Sequence, residues 1–220
     1  MNILAFDTST EKFSISILKN NKVILNLSKI LNKTYSKFLI PILKKSLEKT
    51  KLDIKQINYI LISLGPGSFT GVRIGIAAAK GLGIPHKISI SGFNNMDILV
   101  NSIDNNIKDK KIVTIIKSKK SDYYFQVFDL KRKPINKISF FSINNLPKFF
   151  FNKNIVFCGD LDIEFIKEIK KIKKIKKNIF FKRKFSSTYT LVNLIIEKKY
   201  IKMTKSLNPI YVYSHYANKN

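Results

Sequence analysis

The eight glycines of this 220-residue chain are not spread along it; seven fall between Gly65 and Gly92. Most belong to the run Ser63-Leu-Gly65-Pro66-Gly67-Ser68-Phe-Thr-Gly71-Val-Arg73-Ile-Gly75-Ile-Ala-Ala-Ala79-Lys-Gly-Leu-Gly83. Glycine serves where the backbone takes a positive φ, or where another group must come close to it. The run follows an apolar stretch, Tyr59 to Leu64, and opens a helix-compatible one from Thr70 to Leu82. It predicts a strand, a tight turn at Gly65-Pro66-Gly67, a helix cap at Ser68 or Thr70, and a helix. Such a helix start presents free N–H groups and a positive dipole end, which suit an anion or a partner's carboxylate. A purely structural junction would read the same way. No Gly-Lys-Ser/Thr follows, so it is not a P-loop, and Thr70 stands where a dinucleotide fingerprint needs its third glycine. Gly71, Gly75 and Ala79 lie four apart, leaving one helix face almost bare and open to close approach by a helix or a sheet.

Length and a 45% apolar content fit one large or two small domains with a real core. No apolar stretch approaches the roughly 20 residues of a membrane span. Met1-Asn-Ile-Leu-Ala-Phe-Asp7 enters a strand pattern at once and lacks the basic start of a signal peptide. The single cysteine, Cys158, excludes an internal disulfide. A cytoplasmic, non-membrane protein is expected. The net charge of +27 invites a nucleic-acid reading, but only Arg73, Arg132 and Arg183 are arginine. The lysines are interleaved with Ile, Asn and Phe, which share A/T-rich codons, so the charge by itself marks no site.

Asn2–Asp7, Phe13–Leu18 and Lys22–Ser28 read as strands, the last two joined by a hairpin at Asn20-Asn21. A helix from about Thr34 to Thr50 carries Tyr35, Phe38, Leu39, Ile42, Leu43 and Leu47 on one face, with Pro41 inside it. After the glycine helix come a strand near Lys87–Ser91 and a helix from about Asn94 to Ile103. This order resembles the ribonuclease-H-like half of an actin-type ATPase fold. Residues 1–104 are expected to form that lobe, and residues 105–220 a smaller α/β lobe with strands at Ile112–Ile116, Tyr123–Leu130, Lys137–Ser142 and Asn154–Cys158. From 164 to 184 a basic segment with Ile166, Ile169, Ile172 and Ile175 at every third position predicts an amphipathic helix. It either packs its stripe on the domain or lies on RNA phosphates.

Little else carries chemistry. His86 and His215 are isolated, Cys158 has no partner in sequence, and no His/Cys metal spacing occurs. Asp160, Asp162 and Glu164 alternate and could touch a cation. Asp7-Thr8-Ser9-Thr10 ends the first strand, where it forms either an Asx turn or a phosphate hairpin.

Asp7-Thr8-Ser9-Thr10 together with Gly65-Pro-Gly-Ser-Phe-Thr-Gly-Val-Arg-Ile-Gly75 resembles the TsaB (YeaZ) family of bacterial tRNA-modification proteins. The likeness covers the first 90 or so residues, and Pro209-Ile-Tyr211 resembles the family's closing Pro-x-Tyr. The resemblance implies a two-lobed, α/β, actin-like (ribonuclease-H-like) fold with a degenerate active site. It implies a noncatalytic scaffold that pairs with its paralogue TsaD and works with the ATPase TsaE, using ATP and Mg in the complex. That complex transfers a threonylcarbamoyl group to N6 of the tRNA adenosine beside the anticodon. No cofactor is expected on the chain alone; Asp7, Thr8 and Ser9 form a vestigial phosphate hairpin, and Gly65, Pro66, Gly67 and Ser68 a structural turn. Tyr35, Phe38, Leu39, Ile42, Gly71, Arg73, Gly75 and Ala79 are expected at the TsaD interface, and the same helices would allow a homodimer in isolation. Three positions depart from the family pattern: Tyr35 replaces a helix His, Lys117-Ser118-Lys119 replaces Asp-Ala-Arg, and Gly159-Asp160-Leu161 replaces Gly-x-Gly. The alternative is an autonomous actin-fold ATPase or small-molecule kinase.

Overall fold

The computed structural model describes residues 1–30, 35–103, 111–118, 121–152, 154–171, 179–182, 186–199 and 202–212. The chain divides into two compact units, one of Met1–Ile98 with Phe185–Ile210, the other of Leu99–Lys184 with Tyr211–Asn220. The first opens with β1 (Asn2–Asp7), β2 (Lys12–Lys19) and β3 (Lys22–Ile30). Asn20 and Asn21 join β2 to β3 with φ of 49° and 61°, the two left-handed residues of the turn that matches strand twist. Then come α1 (Tyr35–Lys49), β4 (Tyr59–Ser63), α2 (Phe69–Gly83), β5 (Ser89–Phe93) and α3 (Asn95–Asn101). The second unit carries β6 (Lys111–Lys117), β7 (Asp122–Phe128), β8 (Ser139–Ser142), β9 (Ile155–Gly159), α4 (Ile163–Lys171) and β10 (Ile179–Lys182). The chain then returns to the first unit with α5 (Ser187–Ile196) and β11 (Met203–Thr204).

The first sheet has the order β11-β5-β4-β1-β2-β3, with β1, β4 and β5 parallel and β1, β2 and β3 antiparallel. Alternation along β1 sends Leu4 and Phe6 to one face and Ile3 and Ala5 to the other. The first face packs on Leu39, Leu43 and Leu47 of α1 and on Val72, Ile76 and Ala79 of α2; the second packs on Leu191 and Val192 of α5. Cover on both sides explains why β1 and β4 are nearly continuous apolar runs. It also gives Phe-Ser-Ile-Ser-Ile in β2 a different meaning from inside–outside alternation. Phe13, Ile15 and Ile17 enter the core, while Ser14 and Ser16 are buried beneath α5. The helix runs through Pro41; the carbonyl it leaves unbonded belongs to Lys37, an exposed residue that water can satisfy.

The second sheet has the order β10-β9-β6-β7-β8. Its β6, β7 and β8 are antiparallel, and β6, β9 and β10 parallel. Its core is aromatic: Tyr123, Phe125, Phe141, Phe150, Phe157 and Phe165 are buried together. Tyr123 stacks on Phe141 at 5.4 Å, and Phe150 meets Phe141 and Phe157 edge-on, both at 5.1 Å. Offset and edge contacts of this kind add to the area term.

Two expectations change. The chain beyond 105 does not stay in one lobe, because α5 and β11 complete the first. The predicted helix over 164–184 is shorter: α4 ends at Lys171, residues 172–178 lie outside the described residues, and Ile179–Lys182 pair with β9 as a parallel strand. Phe165 and Ile169 turn inward and Lys167 and Lys170 outward, so the described part of the stripe packs on its own unit; Ile172 and Ile175 are not described. Ile-Phe-Phe at 179–181 carries the β-propensity that the three-residue lysine repeat obscured. Among the described residues no helix is long and apolar enough to cross a membrane.

The glycines of α2 differ sharply in surroundings. A Cβ at Gly75 would run into Thr8 Oγ1 and come within 2.9 Å of Ile62 Cδ1, whereas one at Gly81 meets nothing within 4 Å. Gly81→Ala should therefore stabilise the protein by roughly 0.5–1 kcal/mol through helix propensity. Gly75→Ala should destabilise it by roughly 1–3 kcal/mol through overpacking. Urea unfolding of the two variants measures both; the same sign for both would contradict this packing.

Candidate functional site

Asp7, Ser63 and Phe93 end the parallel strands β1, β4 and β5, so the turns that follow meet at one end of the sheet. This is the end at which open α/β sheets place ligands. Gly65 has φ +95°, a conformation that favours glycine, and the Gly65–Pro66 peptide is cis. Ser68 then caps α2, its Oγ accepting the Gly71 N–H at 3.2 Å.

The hairpin residues are spent on this turn. Thr8 Oγ1 donates to the Gly71 carbonyl at 2.7 Å, and Ser68 N–H donates to the Ser9 carbonyl at 2.5 Å. Asn95 Nδ2 donates to Ser9 Oγ at 2.7 Å, while the Asn95 N–H donates to the Gly65 carbonyl at 2.9 Å. Asp7 is 1% exposed, and both of its oxygens are taken: Oδ1 accepts the Ser9 N–H at 2.8 Å, and Oδ2 accepts the Ser187 hydroxyl. Ser187 begins α5, whose positive end faces this carboxylate. Ile210 N–H, in the closing Pro209-Ile210 segment, donates to the Leu64 carbonyl at 2.8 Å and fastens the turn from outside.

The bare face of α2 is what lets this happen. A Cβ at Gly67 would strike the Ser9 carbonyl, one at Gly71 the Thr8 carbonyl, and one at Gly75 the Thr8 hydroxyl. Gly71, Gly75 and Ala79 therefore face their own sheet and are buried, which corrects their placement at a partner surface. Leu39 is likewise core, at 1% exposure. Of the remaining residues expected at that surface, Phe38 is 41% exposed, Ile42 is half-buried against the core, and Arg73 is exposed with its guanidinium 3.7 Å from the centre of the Phe69 ring. Tyr35 opens α1, but its side chain lies outside the described residues.

The second unit has its own charged strand end. Lys117 closes β6, and its ammonium pairs with Asp162 and, at 3.7 Å, with Glu164. Tyr123 OH donates to Asp162 Oδ1 at 2.9 Å, as does the Phe165 N–H at 2.8 Å, so Asp162 also caps α4. Asp160 accepts the Lys117 N–H at 3.2 Å. The cation that the alternating acidic residues hold is thus the chain's own ammonium. Burial alone would push the Asp162 carboxyl up, but bonds from Lys117, the Phe165 N–H and Tyr123 outweigh it and hold the pKa below the ordinary value. The bond to Asp162 raises the Lys117 ammonium against burial, and burial followed by the bond to Asp162 pushes the Tyr123 phenol up.

Residues 28–139, half of the chain, match the model of the family described as TsaD, tRNA N6-adenosine threonylcarbamoyltransferase. The tRNA threonylcarbamoyladenosine biosynthesis protein TsaB of Buchnera aphidicola subsp. Schizaphis graminum is 37% identical over 123 residues, which cover 56% of this chain and 58% of that protein. The solved YeaZ from Pseudomonas aeruginosa superposes with a TM-score of 0.67 over 96% of this chain and 99% of its own, at 16% identity. The chain belongs to the TsaB (YeaZ) family.

The match spans little more than half the length of the TsaB relative. A Bacteroides thetaiotaomicron protein with an actin-like ATPase fold superposes with a TM-score of 0.55 over 87% of this chain and 95% of its own, at 14% identity. The fold is accordingly two-lobed and actin-like. As placed, Asp7, Thr8 and Ser9 do not fit a nucleotide phosphate and its metal, because their polar groups are committed inside the first unit. In this TsaB-family chain Lys117, at one of the departures from the family pattern, is joined with Asp160 in one polar cluster, while Lys119 lies outside the described residues. Sequence reasoning missed Ser187 altogether. Its signal was Ser186-Ser187-Thr188 ahead of the apolar run from Leu191, a helix-start pattern.

Ser187→Ala would leave a buried carboxylate oxygen without its donor and should cost roughly 1–3 kcal/mol in urea unfolding. Asp7→Asn in the same background should lose less than it does alone; strict additivity of the two would show that they do not interact. The Lys117 cluster gives a pH signature. Asp162, with a depressed pKa, stabilises the fold above the ordinary carboxyl value of about 3.9 and loses that contribution as pH falls through its folded pKa. Lys117, with a raised pKa, contributes fully below about 10.4 and loses it as pH rises through its folded pKa. Lys117→Met should flatten the fall in melting temperature at both ends, and unchanged slopes would contradict the pairing.

Proposed function

We propose that this chain is a noncatalytic subunit of a tRNA N6-adenosine threonylcarbamoyltransferase. In this role it pairs with a TsaD-type paralogue and works with a TsaE-type ATPase. The transfer of a threonylcarbamoyl group to N6 of the tRNA adenosine beside the anticodon, with its ATP and Mg, belongs to the assembly and not to this chain. The observation that carries the reading is the closed hairpin. Asp7 is buried and satisfied by Ser9 and Ser187, and Thr8 and Ser9 are bonded into the glycine turn, so the strand end where this fold would engage phosphate serves as internal structure. Membership of the TsaB family supports the choice of reaction, since its relatives are named as tRNA threonylcarbamoyladenosine biosynthesis proteins.

The partner surface, on this reading, is the outward side of α1 and α2, including Phe38, Ile42, Phe69 and Arg73. The glycines of α2 contribute only by letting that helix sit close to the sheet. An exposed ring such as Phe38 is the kind of side chain that carries interface energy. The isolated chain could use the same surface for a homodimer.

The test is reconstitution of threonylcarbamoyl transfer with the cognate TsaD and TsaE, with and without this chain. Modification should require the chain, and Phe38→Asp should weaken pairing with TsaD by about tenfold or more while leaving the fold intact. Equal modification in its absence, with nucleotide hydrolysis by the chain alone, would instead support an autonomous ATPase.

A further inference from the structure

The opposite end of the first sheet carries a feature that the proposed role leaves unused. Tyr59 and Ser89 start the parallel strands β4 and β5 beside the start of β1, roughly 13 Å along the sheet from Asp7. Between these strand starts and the turn that ends α2 lies an open recess of about 660 Å³. It is lined by Lys55, Asn58, Tyr59, His86, Lys87 and Ser89 among others, and among the described residues no carboxylate lines it. Tyr59, which also lines it, is 41% exposed.

The basic groups come from separate elements on a fixed frame. Lys55 stands on a short 3-10 turn capped by Asp53, whose Oδ1 accepts the Lys55 N–H at 2.8 Å. Asn2 N–H donates to Asn58 Oδ1 at 2.7 Å and Asn2 Nδ2 to the Gln56 carbonyl at 2.9 Å, which ties that turn to β1. Lys87 takes a left-handed backbone with φ 54°, in a turn closed by Ile88 N–H on the Gly83 carbonyl at 2.9 Å. The negative end of α2 accounts for basic residues at 86 and 87. It does not account for Lys55, which another segment brings to the same recess, nor for the exposed tyrosine that lines it with them.

We infer that this recess is an RNA contact, in which Lys55 and Lys87 hold backbone phosphates and Tyr59 stacks on an unpaired base. Cations tracking a phosphate chain beside an exposed aromatic ring are the recurring combination for single-stranded RNA. The recess is wider than one phosphate needs, and the chain's net charge of +27 draws a polyanion toward it from a distance. The inference rests on the proposed role only for its choice of RNA, an unmodified tRNA.

Binding of a labelled tRNA transcript to the full chain alone, by fluorescence anisotropy across a salt series, tests it without TsaD. The reading is therefore independent of whether the chain supports transfer. Lys55→Glu/Lys87→Glu is compared with Lys167→Glu/Lys170→Glu on α4, which changes net charge equally; all four lysines are exposed. The first pair should raise Kd at least tenfold more than the second and lower the salt slope by about 1.4–1.8. Tyr59→Leu should raise Kd several-fold with an unchanged slope. Equal losses from the two lysine pairs would reduce the effect to net charge and overturn the inference, as would full displacement of the tRNA by ATP, which would mark a free-nucleotide site.

Discussion

The first unit depends on how closely α2 approaches the hairpin after β1. The Thr8 hydroxyl on the Gly71 carbonyl and the Ser68 N–H on the Ser9 carbonyl are possible only because positions 67, 71 and 75 carry no side chain. This proximity fixes the hairpin's conformation and helps to hold Asp7 in a buried place. Asp7 in turn engages Ser187, so a helix almost two hundred residues further along the chain is tied to the first strand. A carboxylate removed from water has to be paid back in hydrogen bonds, and here the backbone, a serine and a helix end supply them.

The two sheets repeat one topology. A central strand has an antiparallel hairpin on one side and parallel strands on the other, as β3-β2-β1-β4-β5 and β8-β7-β6-β9-β10. Asp7 and Lys117 are the last residues of the two central strands, so they hold the same topological place with opposite charge. Each is engaged inside its own unit, Asp7 by hydrogen bonds from Ser9 and Ser187 and Lys117 by ion pairs with Asp162 and Glu164. Groups committed in this way are held by contacts within their own units, an arrangement that fits the proposed noncatalytic role.

Local pattern made much of the first unit legible. Strand alternation, the Asn20-Asn21 hairpin, the glycine turn and the Ser68 cap all appear where the sequence places them, because each is decided within a few residues. The exchange of a helix for a strand at Ile179–Lys182 shows the limit. A lysine repeat gives helical spacing, but the pairing partner β9 lies some twenty residues away and no local signal names it. The bare helix face was legible as a site of close approach but not as to what approaches. Sequence spacing is the same for a partner helix and for the protein's own Thr8.

The sequence by itself determined the α/β class, the first sheet's strands, the turn chemistry and the family pattern, since these rest on side-chain period, backbone preference and a short motif. Only the tertiary structure decided which face of α2 is spent inside the fold. Only it returned α5 to the first sheet and gave Asp7 and Lys117 their partners. Those outcomes are contacts between residues 40 to 180 positions apart, and a chain's order carries no measure of distance until its packing closes them.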